Sequence, residues 1–149
     1  MSRTVRLVLS LGLVAVLAIA TVSTAAAGGR KIFSSSLVGL PTGSLVLDGL
    51  TGGGVPWSID EGTATLTADG RLHVEVQGLV ITSTGVNPVP TGRAIVVCQG
   101  APVAQTDTVP FSTAGDAVID AQVSVPSPCL DLAVFFTNAS NRWFAVTGI

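Results

Sequence analysis

The sequence predicts an all-β protein, an antiparallel β-sandwich of about 7–9 short strands held by one disulfide and preceded by a signal peptide. Three observations carry this prediction. Apolar and polar residues alternate with a period of two through much of residues 28–149. Turn residues recur at intervals of about 8–12 positions. No stretch keeps a convincing 3.6-residue period, because Gly or Pro interrupts every window long enough for a helix. A barrel is the minority reading of the same pattern.

The 149 residues allow one ordinary domain. With 48% apolar and 11% charged residues the chain is too apolar for intrinsic disorder. Ala, Glu, Lys, Leu and Arg are nowhere near half of residues 28–149, which excludes a coiled coil as well. Two of the seven basic residues, Arg3 and Arg6, fall in the leader, which leaves five against nine acids in the remainder. That mildly acidic balance gives no footprint for nucleic acid or for anionic lipid.

Residues 1–27 read as a secretory signal peptide and 28–149 as the single domain. Arg3 and Arg6 form a basic start, Leu7 to Val22 an apolar run, and Ala25-Ala26-Ala27 an A-x-A cleavage signal, so the mature chain is expected to begin at Gly28. The apolar run is short for a span of about 20 residues, and Ser10, Gly12 and Thr21 weaken it further. No membrane span is expected after cleavage, and the destination is extracellular.

The domain's elements follow in order. Ile32–Leu40 and Val55–Asp60 are the first strand candidates. Between them lies the glycine-rich stretch Gly49 to Pro56. Thr63–Thr67, the turn pair Asp69-Gly70 and Arg71–Gln77 form a hairpin. Its second strand sends Leu72, Val74 and Val76 to one face and His73, Glu75 and Gln77 to the other. Thr82 to Gly92 is the second long irregular stretch. Then come Arg93–Gln99, Val103–Val109, Ala117–Val125, Leu132–Thr137 and Arg142–Thr147. The continuous apolar runs Ile95–Cys98 and Leu132–Phe136 suit strands buried on both sides, or the sandwich core itself. The two irregular stretches are candidates to carry function, although linkers between sheets are the commoner use of such segments.

Cys98 and Cys129 are the only cysteines. Export would bring them to an oxidising compartment, so an intramolecular disulfide is expected. A metal site would need three or four ligands, and the chain has a single histidine, so no metal and no cofactor are expected.

That histidine, His73, would have to serve any Ser-His-Asp mechanism, yet it sits on the wet face of a regular strand. Asp60-Glu61 is the one adjacent carboxylate pair, and strand neighbours point to opposite faces, so it does not make a glycosidase pair. No catalytic residue is therefore assigned, and a hydrolase is a remote alternative. Trp57 and Trp143 are the candidate ligand contacts: exposed together on one face they would form a small platform, and otherwise they belong to the core. Asn138-Ala139-Ser140 fits the N-glycosylation sequon but also suits a hairpin turn.

Gly53-Gly54-Val55-Pro56-Trp57, Glu61-Gly62, Asp69-Gly70-Arg71-Leu72-x-Val74-Glu75-Val76-x-Gly78-Leu79-Val80 and Asn87-Pro88-Val89-Pro90-Thr91 together resemble a group of small secreted bacterial proteins with no assigned activity. The resemblance implies secretion and a sandwich, with the immunoglobulin-like type as the nearest architecture. It implies no catalytic residues. The expected function is non-enzymatic surface contact outside the cell, with the envelope, a protein partner or another copy of the chain. The alternative is an extracellular carrier of a small apolar ligand, held between the sheets or near Trp57.

Overall fold

A computed structural model describes residues 29–148, so the expected leader lies outside the described residues. No helix is present among the described residues, and none is long and apolar enough to cross a membrane. The strands are β1 (Lys31–Gly39), β2 (Val46–Leu47), β3 (Leu50–Thr51), β4 (Trp57–Ser58), β5 (Glu61–Thr67), β6 (Arg71–Gln77) and β7 (Val80–Ile81). The second half adds β8 (Thr91–Cys98), β9 (Ala101–Gln105), β10 (Val109–Pro110), β11 (Ala117–Gln122), β12 (Ala133–Thr137) and β13 (Trp143–Thr147).

Nine strands join in one antiparallel sheet, in the order β10-β8-β12-β13-β1-β5-β6-β11, with β9 also on β8. The sheet curls into a half-barrel, and β1 is where its two halves meet. Lys31 to Ser36 pair with β5, whereas Leu37 to Gly39 pair with β13. A bulge lies between Lys31 and Phe33. Small two-stranded ribbons, β2–β3 and β4–β7, complete the pairing.

The two halves bury their side chains differently. In β5, β6 and β11 buried and accessible residues alternate, as in Arg71–Gln77, where Leu72, Val74 and Val76 are buried. This is the expected half-wet sheet. In β8, β12 and β13 nearly every residue is buried, because both faces are covered. Phe136 and Phe144 face the main core, against Phe111 and Trp57. Phe135 and Trp143 pack edge to face on the opposite side, their centroids 5.6 Å apart. There the β2–β3 ribbon supplies Leu50, and the chain after it bridges to Trp143 through Gly52.

Turn chemistry sets the hairpin registers. Gly70 has φ 85°, and its N–H donates to the Thr67 carbonyl at 2.9 Å, a three-residue connection with glycine in the left-handed position. Gln99 and Gly100, at φ 54° and 75°, make the two-residue turn between β8 and β9, whose twist matches the strands.

Three expected strands come out shorter or divided. Val55–Asp60 contracts to Trp57–Ser58, because the preceding chain crosses over to β13: Gly53 N–H donates to the Trp143 carbonyl and Trp57 N–H to the Leu40 carbonyl. Val103–Val109 splits into β9 and β10 at Thr106. The backbone N–H of Thr106 donates to the Ala94 carbonyl, and its hydroxyl accepts from Ala94 N–H. Ala117–Val125 stops at Gln122, where pairing with β6 ends.

Cys98 and Cys129 form the disulfide, with Cα atoms 5.3 Å apart. It ties the end of β8 to the loop before β12, and Gln99 N–H donates to the Leu130 carbonyl beside it.

Candidate functional site

The outer face of β1, β5, β6 and β11 is mostly polar. Strand register places its side chains in rows. One row reads Ser34, Thr65, His73 and Asp120; the next reads Ser36, Thr63, Glu75 and Val118. His73 holds the centre. Its Nδ1 lies 2.7 Å from Asp120 Oδ1 and its Nε2 3.9 Å from Glu75 Oε2. Gln77 Nε2 donates to the other Glu75 oxygen at 2.8 Å.

The His73 side chain is 39% exposed and that of Asp120 70%, so water screens the pair and its contribution to stability is small. Chemically, the row can accept and donate hydrogen bonds. Thr65 is its neighbour across the ladder, yet among the described residues His73 hydrogen-bonds no hydroxyl. No group of three or more His, Cys, Asp or Glu side chains there could hold a metal ion. Asp120 was not singled out in the sequence, although the alternation Val118, Asp120, Gln122 carries the signal. Only the register of β11 on β6 brings it to His73.

The tryptophans lie elsewhere. Trp57 is 4% exposed and Trp143 is fully buried. The Trp57 ring stacks on Phe144 at 4.2 Å, and the glycine-rich stretch passes over it, since a Cβ on Gly53 would meet both Phe144 and the Trp57 ring nitrogen. Neither indole N–H has a hydrogen-bond acceptor. The structure therefore buries both in the one apolar core, Trp57 against Phe144 and Trp143 against Phe135 on opposite sides of β13, and does not bring them together as an exposed platform.

The stretch Thr82 to Gly92 is fastened by Asn87, a buried residue. Its side-chain amide donates to the carbonyls of Val89 and Ser112, and its oxygen accepts from Val89 N–H, each at 2.8 Å. Asn138 uses its side-chain oxygen to accept from the N–H groups of Ser140 and Arg142, forming the turn into β13. Arg93 braces that turn by donating to the Ala139 carbonyl at 2.8 Å and to the Asn141 side chain.

Surface recesses are shallow. A groove of about 530 Å³ runs between the β5–β6 turn and the chain after β11, past Phe33, Val125 and Cys129. A cleft of about 330 Å³ has Ile95 and Leu50 on one side and Pro102 and Val103 on the other, with Asn141 and Gln105 beside them. A third hollow, about 350 Å³, lies between Ser36, Glu61 and Glu75.

No protein-family model, curated protein or solved structure matches this chain.

Proposed function

We propose that the protein is exported, loses residues 1–27, and acts outside the cell as a non-enzymatic β-sandwich through contact of its surface with a protein partner, the cell envelope or another copy of itself. The two halves of the half-barrel serve as the layers of that sandwich. The supporting observation is the polar face centred on His73, which runs across four strands and ends at β11, a strand paired on one side only. Such an edge offers main-chain donors and acceptors to an added strand. The Cys98–Cys129 bridge suits the oxidising destination that the leader implies.

The experiment places photo-crosslinking groups at Thr63 and Val118 in the protein secreted by its own host. Adducts to a macromolecule or to a second copy, reduced by the double replacement Glu75→Lys and Asp120→Lys, support the reading. A secreted protein that stays monomeric and uncrosslinked at native concentration sinks it.

A second reading, carriage of a small apolar molecule, draws on the cleft between Leu50 and Val103, whose size falls at the lower end of ligand sites. A small-molecule adduct retained in the native mass spectrum, and lost on Ile95→Trp, would favour it.

A further inference from the structure

The two free edges of the large sheet are built differently. At one end β9 and β10 lie on β8. Pro102 and Pro110 take donors away from that edge, and its register slips between Val96 and Val97. Proline and a bulge both keep an added strand away. At the other end β11 carries neither. Its one charge, Asp120, sits against His73 at 2.7 Å.

The ladder shows which main-chain groups of β11 are open. Val123 N–H donates to the Gly70 carbonyl at 2.8 Å, one step beyond the pair Gln122–Arg71. Bonded residues alternate in an antiparallel ladder, so Ala117, Ile119 and Ala121 bond to β6 while Val118, Asp120 and Gln122 turn their N–H and C=O groups outward. Among the described residues no strand pairs with them on that side. Ser112 N–H donates to the Asp116 carbonyl, so the open length begins at Val118. The Val118 side chain adds an apolar patch there, half exposed.

We propose, resting on the surface-contact reading above, that this edge pairs with the β11 edge of a second copy, antiparallel about a twofold axis, to make one continuous sheet. Charge supports a copy as the occupant. Outward-turned residues must meet outward-turned residues, which leaves few registers. Those that set Asp120 against Asp120 or Asp116 of the second copy put like charges opposite and are disfavoured. The other two set Asp120 against Val118 or against Gln122 of the second copy. In both, Gln122 faces a carboxylate of the second copy, Asp116 in the first and Asp120 in the other. Arg71, the ladder neighbour of Gln122, then lies two strand spacings from that carboxylate, about 9.6 Å, within reach of an arginine side chain. One strand on one strand buries less than a standard interface, so the dimer is weak and reversible.

The test uses the chain as its host makes it. Sedimentation velocity up to millimolar protein should show the reversible dimer. The amides of Val118, Asp120 and Gln122 should exchange about tenfold more slowly there than in dilute solution, as pairing of about nine chains in ten would produce. Val118→Pro removes an outward donor and no bond to β6, so it should abolish the dimer and keep the near-UV circular dichroism of the wild type. Arg71→Glu should weaken the dimer at low salt. If Val118→Pro does not fold, wild-type exchange and Arg71→Glu decide. A monomer at every concentration, a folded Val118→Pro that still dimerises, or slowed amides that lie outside β11 overturns the proposal. A monomer that still crosslinks from Thr63 or Val118 to another macromolecule leaves the surface-contact reading standing, whereas one that crosslinks to nothing removes both.

Discussion

Removing the disulfide by the double substitution Cys98→Ala and Cys129→Ala isolates the contribution of one covalent link. The residues are 31 apart in sequence, and the closed loop carries β9, β10 and β11. In the chain-entropy description a loop of that length stabilises the fold by about 3.7 kcal/mol, through restriction of the unfolded state. The folded state should hardly change. Ala133 still pairs with Val97, Gln99 N–H still donates to the Leu130 carbonyl, and two small apolar side chains take the place of the sulfurs. A domain of this size loses roughly 4 °C of melting temperature per kcal/mol, so a fall of about 15 °C is expected. Urea denaturation followed by tryptophan fluorescence measures the same quantity, with a steeper dependence on urea as the freed chain expands. A loss below about 1 kcal/mol with an unchanged slope would refute the reasoning, because the unfolded chain would then gain nothing from its release.

Asn87→Leu should cost about 2–4 kcal/mol in the same assay, since it strands the Val89 N–H and two carbonyls in a buried site. Gly39→Ala should cost about 1–3 kcal/mol, because its Cβ would overlap the Trp57 carbonyl and force backbone to move. Asp120→Asn, at an exposed pair, should change stability by less than about 1 kcal/mol. The Thr67 hydroxyl holds the Asp69 carboxyl below its usual range, so Thr67→Val should raise that pKa toward 3.8 in an NMR titration. A depressed folded value stabilises at pH above the unfolded one and is lost as pH falls through the folded value, so wild type and variant should converge in acid.

Sequence and structure agree most closely where one residue's neighbours decide its environment. Arg71–Gln77 alternates without an error, and its burial follows the letters one by one. The runs at Ile95–Cys98 and Ala133–Phe136 are continuous because both faces of those strands are covered. Legibility ends where distant segments decide. Nothing local in Lys31–Gly39 says that its first part pairs with β5 and its last with β13. Thr106 looks like any strand residue, yet its hydroxyl replaces a ladder partner for Ala94. The contact between His73 and Asp120 spans 47 residues and depends on a register that only the assembled sheet sets. Core is the commoner place for tryptophan, yet a platform of Trp57 and Trp143 stays open in the sequence until the glycine-rich chain and the β2–β3 ribbon are seen to lie over them.

The most direct test of the account is the intact mass of the protein secreted by its own host, recorded under native conditions without refolding. The account predicts a chain that begins at Gly28, lighter by the hydrogens of one disulfide and found in contact with a macromolecular partner or a second copy. A chain that keeps residues 1–27 inside the cell, or one that is exported with both thiols free, would contradict it.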